Sequence, residues 1–111
     1  MKYSLDKLNE LSGGDNEFNA SVIETFLLET PEDLAKLQKS VSNKEFDLIY
    51  QFAHKIKPNA DLLGIETVRE HMLAMEGHAR GDKDIDAINS LLKEAESELQ
   101  NAFSEFKAYL R

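Results

Sequence analysis

The stretch Phe46-Asp-Leu-Ile-Tyr-Gln-Phe-Ala-His-Lys-Ile-Lys-Pro-Asn-Ala-Asp-Leu-Leu-Gly64 decides how this chain folds. Within it Phe46, Ile49, Ala53, Ile56, Ala60 and Leu63 recur at spacings of three and four, the periodicity of one buried stripe on a helix. At about 100° per residue, His54 points roughly 130° from the centre of that stripe. Gln51 and Pro58 lie beside it, with Tyr50, Lys57 and Asp61 nearer the flank. The imidazole therefore faces water.

Upstream, Ser4 reads as the N-cap of a short helix carrying Leu5, Leu8 and Leu11, which Gly13 and Gly14 end. Asp15 caps a second helix in which Phe18, Val22 and Phe26 follow helical spacing and Ile23 and Leu27 broaden the apolar face. The run Thr30-Pro31-Glu32-Asp33 admits two readings, a kink inside one helix or a stop followed by a new start. Leu34, Leu37 and Val41 carry the stripe onward without loop residues, which favours one bent helix to about Val41. Ser42-Asn43 ends it, and Ser42 with Glu45 fits a capping box for the organising helix.

Downstream, Gly64 closes that helix, and Ile65, Val68, Met72, Met75 and Ala79 define the next, followed by a turn at Arg80-Gly81-Asp82. Ile85, Ile88, Leu92, Ala95, Leu99, Ala102 and Phe106 keep register through a last helix, from near Asp84 to about Tyr109. Alternating β-branched segments are absent, so the expected class is all-α. Short connections make sequential helices antiparallel neighbours, giving an up-down-up-down four-helix bundle with a short N-terminal helix laid across it. The 111 residues are expected to form a single domain, 1–111.

Composition narrows the function classes. With 41% hydrophobic residues the chain can build a core, and without cysteine it has no disulfide, thiolate metal site or cysteine nucleophile. A net charge of −8 with no Lys/Arg cluster argues against a nucleic-acid partner. Neither a long apolar run nor a leader is visible, so no membrane association is expected and the cytoplasm is the default location. A Gly-rich phosphate loop is lacking, which argues against an autonomous kinase. His71 and His78 lie near Glu70, Asp82 and Asp84, a donor set that zinc or iron can use. The Glu-x-x-His pairs of carboxylate-bridged bundles do not occur, so no metal site is expected. Met72 and Met75 read as core, and Glu94, Glu96, Glu98 and Glu105 as a solvated face.

Ala53-His54-Lys55-Ile56-Lys57, continued to Gly64, resembles the signature of histidine-containing phosphotransfer (HPt) domains, roughly Ala-His-x-Leu-Lys-Gly-x-(Ala/Ser)-x-x-Leu-Gly. The match lies at Ala53, His54, Lys57, Ala60, Leu63 and Gly64, with Ile56 a conservative replacement and Pro58 standing where most of the family has glycine. The resemblance extends over nearly the whole chain and implies the same bundle. It implies that His54 attacks, through Nε2, the aspartyl phosphate of a response-regulator receiver domain and later passes the phosphoryl group to another receiver aspartate. Neutral imidazole suits that task, because its ordinary pKa of about 6.5 leaves much of it unprotonated at neutral pH.

Lys57, one turn on from His54, is the expected cation for the phosphoryl oxygens and is preferred to Lys55, whose side chain points elsewhere. Tyr50, Gln51, Lys55, Pro58 and Asp61 form the expected partner-binding surround, and Gly64 is structural. The resemblance further implies no cofactor on this chain, Mg²⁺ on the receiver partner, a hybrid sensor histidine kinase as a further partner, and a monomeric carrier rather than an enzyme. The alternative is a helical interaction module of the same fold that docks a partner without phosphorylation. Pro58 in place of glycine keeps that alternative open.

Overall fold

The computed structural model describes residues 3–111. Five helices follow one another, α1 (Asp6–Ser12), α2 (Asn16–Ser42), α3 (Phe46–Leu62), α4 (Glu66–Arg80) and α5 (Ile85–Tyr109), and no strand occurs among the described residues. Each of α2 to α5 packs against its neighbour in the chain, and α5 returns to α2, closing the expected four-helix bundle with α1 against α2. The 27 residues of α2 span about 40 Å at 1.5 Å per residue, which accounts for the 42 Å long axis.

The stripe of α3 is buried as its spacing requires from Ile49 through Ala53, Ile56 and Ala60 to Leu63, while Phe46, at the first residue of the helix, is only half-buried against the core. The stripe of α2 is rotated from the expected one. Its buried line runs through Asn19, Ile23, Phe26, Thr30, Leu34, Leu37 and Val41, leaving Phe18 46% exposed. Both phases share Phe26. Asn19 decides between them, since its Nδ2 donates to Asn9 Oδ1 at 2.7 Å and so an amide occupies a position that an apolar pattern reads as surface. Leu11, expected on the apolar face of α1, is 72% exposed, because α1 is a short helix that turns only Leu8 fully inward.

The caps are partly as read. Asp15 accepts from the N–H groups of Glu17 and Phe18 and starts α2, which runs uninterrupted through Pro31. Ser4 lies one residue before the N-cap position, yet its hydroxyl still accepts from Asp6 N–H. The capping box at Ser42 does not form: Ser42 ends α2, and α3 begins at Phe46 without a side-chain cap. The reason lies in Lys44, whose φ of 53° turns the chain so that Glu45 N–H donates back to Ser40 O. The Glu45 carboxylate then accepts from Asn43 Nδ2 instead. At the other end of α3, Gly64 has φ 67°, and a Cβ there would lie 2.5 Å from the Ser4 nitrogen. Ser4 N–H donates to Leu63 O, tying the N-terminal segment onto that end of α3. No helix among the described residues is long and apolar enough to cross a membrane.

Candidate functional site

Opposite its buried stripe, α3 holds His54 with its side chain 58% exposed. One edge of the ring turns inward, where Nδ1 meets Glu76 Oε2 of α4 at 2.9 Å. Glu76 has only 7% of its side chain accessible, and its other oxygen lies 2.7 Å from Lys57 Nζ, an ion pair formed off the hydrogen-bonding axis. Lys57 is itself 25% exposed. A histidine, a carboxylate and a lysine are thereby joined across the α3–α4 interface.

Burial pushes the Glu76 carboxyl up, but the Lys57 ammonium and the His54 ring outweigh it and hold the group below the usual carboxylate range. Glu76 is therefore ionised near neutral pH and can only accept, so the proton of neutral His54 resides on Nδ1. The Nε2 lone pair consequently points outward, and Nε2 has no partner among the described residues. Carboxylate–imidazole contacts of this kind fix both tautomer and ring orientation.

The surround divides by side. Tyr50, one turn before His54, stacks on it with centroids 5.6 Å apart and planes at 11°. Gln51 is exposed and shares a groove with Asp47, Tyr50 and Arg80. Lys55 does not face the imidazole: its ammonium is 3.0 Å from Asp33 of α2, whose side chain is buried. Pro58 is exposed beside Asp61, Arg69 and Leu73, and α3 continues through it to Leu62. Asp61 is held by Lys7 and Arg69. The remaining histidines lie apart, His71 with Glu94 of α5 and His78 with Asp82.

The sequence singles out His54 and Lys57, which the structure joins through Glu76, but does not single out Glu76 itself. Its signal was a charged residue wedged directly after Met75 on the inward side of α4. The partner it meets depends on how α4 is rotated against α3, which no periodicity within one helix reports.

A sequence model of the Hpt domain matches residues 21–108 of the chain. The phosphorelay intermediate protein rdeA of Dictyostelium discoideum is 26% identical over 109 residues, 96% of this chain, and the chain spans 42% of that relative's length. Among solved structures, histidine-containing phosphotransfer protein B of Pseudomonas aeruginosa PAO1 aligns with a TM-score of 0.86 at 18% identity, covering 98% of this chain and 94% of that one. The HPT domain of a sensor hybrid histidine kinase from Shewanella aligns with a TM-score of 0.84 at 16% identity, covering 96% and 92%. Identities this low speak to the shared fold alone.

Proposed function

The chain belongs to the Hpt domain family, and from that premise we propose that it carries a phosphoryl group on His54 between the aspartates of response-regulator receiver domains. The observation that carries this reading is the Nδ1 contact to ionised Glu76, which leaves Nε2 as an exposed nucleophile. In the forward step Nε2 attacks phosphorus, the P–O bond to the receiver aspartate breaks, and the carboxylate leaves with the electron pair. The ring becomes a cation that keeps its Nδ1 proton against Glu76, so no proton has to move. In the return step a second receiver carboxylate attacks, the P–N bond breaks, and neutral His54 is restored.

Phosphoryl transfer proceeds through a loose transition state whose charge sits on the equatorial oxygens, so positioning and electrostatics dominate. Lys57, held at Glu76 one turn from the ring, supplies a cation near those oxygens. Mg²⁺ belongs to the receiver, and a hybrid sensor histidine kinase is a further donor or partner. The chain acts as a monomeric carrier and not as an autonomous enzyme. The non-phosphorylated alternative loses its support at Pro58, because α3 passes through that residue and still presents His54 outward.

Incubation with a receiver domain phosphorylated on its aspartate tests the proposal. The chain should acquire acid-labile, base-stable label, and His54→Gln should acquire none while its unfolding free energy stays within about 1 kcal/mol of wild type. Label on the His54→Gln variant would refute the assignment.

A further inference from the structure

In the first half of α3 the rings of Phe46, Tyr50 and Phe52 are half-buried at the rim of the core, and a cation lies over each. The Arg80 guanidinium is 3.5 Å from the centroid of Tyr50. The Lys83 ammonium is 5.7 Å from that of Phe46, and that of Lys36 is 6.0 Å from Phe52. None of the three forms an ion pair among the described residues. In a chain of net charge −8 a carboxylate is the easiest partner to find, so unpaired cations need a reason; Lys36 lies on the α2 side of α3, whereas Arg80 and Lys83 share its α4 side.

The carboxylates at this end are mostly engaged locally. Asp82 is held by His78 and the Asp84 N–H, and Asp84 caps α5 through Ala87 N–H. Asp47 lines the groove with Tyr50 and Arg80 without pairing to the guanidinium.

Lys44 and Lys83 have φ of 53° and 54°, in the α2–α3 and α4–α5 turns that lie at the end where α3 begins. The left-handed region strains any side chain and is met at least cost by glycine or asparagine. The turn geometry itself does not call for lysine in these two places, whereas a surface that recruits anions does.

We propose that this end of the bundle, centred on Arg80 over Tyr50 and Lys83 over Phe46, is the docking surface for the carboxylate-bearing rim around a receiver domain's phosphorylation site. The inference rests on the phosphotransfer reading for the identity of the partner. A domain that holds Mg²⁺ beside an aspartyl phosphate gathers carboxylates there, since Mg²⁺ takes oxygen ligands. A guanidinium already spread on a ring loses little freedom on accepting a carboxylate in fork geometry. Tyr50 stacks on His54, so a rim held by Arg80 sits one ring away from the nucleophile. Such peripheral charges speed encounter and fix register in a salt-dependent way.

The probe is a set of receiver domains from the source organism, loaded with Mg²⁺ and BeF₃⁻ and titrated calorimetrically into the full chain at rising NaCl. Arg80→Gln is expected to weaken binding about tenfold at low salt and to flatten the salt dependence. Lys107→Gln, which removes the same charge from the α2–α5 groove, should leave affinity as it is. Lys83→Gly relieves the left-handed strain, so it should raise the thermal midpoint while weakening binding. A merely structural lysine would not separate those two readings. Replacing the receiver's rim carboxylates by amides should abolish the effect of Arg80→Gln. The proposal is overturned if no receiver binds, if Arg80→Gln keeps wild-type affinity and salt slope, or if Lys107→Gln costs as much. Failure of His54 to take label while salt-dependent binding persists would instead remove the carrier reading and leave the docking surface standing.

Discussion

From His54 toward the end of α3, the cations are neutralised by carboxylates: Lys55 by Asp33, Lys57 by Glu76, and Lys7 and Arg69 by Asp61. Toward the start of α3 the neighbouring cations Arg80, Lys83 and Lys36 lie over rings and have no such partner. His54 stands at the boundary, stacked on Tyr50 on one side and bonded to Glu76 on the other. The difference separates two tasks. Charges that are paired and partly buried hold geometry, while charges left unpaired at an exposed surface are available to a partner.

The paired half of α3 depends most heavily on Glu76. Glu76→Ala removes the acceptor that fixes the Nδ1 tautomer and leaves Lys57 without its counter-charge. Losing an orienting partner of this kind slows reaction by about 10- to 100-fold. Stability should fall by about 1–3 kcal/mol, less than for a fully buried pair because the His54 and Lys57 heads keep some contact with water. Single-turnover transfer beside urea denaturation measures both. A Glu76→Ala variant that transfers at the wild-type rate would show that His54 needs no orienting group.

Lys57→Ala is the next largest effect, a slowing of about tenfold from loss of one cation. It also sharpens the role. If Lys57 works by holding Glu76, the Glu76→Ala and Lys57→Ala changes combined should slow transfer no further than Glu76→Ala alone. Additive losses would place the ammonium on the phosphoryl oxygens themselves.

Acid should expose the same carboxylate. Glu76 has a folded-state pKa below its ordinary value of 4.5, so between the two the unfolded chain binds more protons than the folded one. Its contribution is therefore fully present above pH 4.5 and is lost as pH falls through the folded value. Wild type should lose stability across that window more steeply than Glu76→Gln, as denaturation at stepped pH will report. Equal slopes would mean that the His54 and Lys57 contacts contribute little to folding.

Much of this was legible in the sequence because a helix encodes its own buried face. Ile49, Ala53, Ile56 and Ala60 mark the inside of α3 and so place His54 outside, whatever the neighbours do. Glu76 was not legible, since pairing across an interface depends on the relative rotation of two helices. Phe18 misled for a related reason: a hydrogen-bonded Asn19 took the buried position. Ser42 misled because the left-handed Lys44 re-routed the turn before a capping box could close. That Lys55 points away from His54 was legible, since one step along a helix is a turn of about 100°, but its buried partner Asp33 on α2 was not.

Lys55 accordingly gives the smallest expected effect on transfer. Its ammonium lies 3.0 Å from Asp33 Oδ1, and the other carboxylate oxygen, Oδ2, is buried without a partner. The hydrogen bond and charge of Asp33 hold the Lys55 ammonium above its ordinary range, so it stays a cation at any working pH. Lys55→Met keeps the apolar stem along α3 and removes only the charge, leaving Asp33 alone in its buried position. The thermal midpoint should drop, since a buried carboxylate has lost its counter-ion, and Asp33→Asn made in the same background should restore part of that loss. The transfer rate at saturating receiver should stay within about twofold of wild type, because the lost charge acts on α2 and not on the imidazole. A larger fall in rate, with the fold intact by circular dichroism, would bring Lys55 into the reaction and move the boundary between the two halves of α3 one residue past His54.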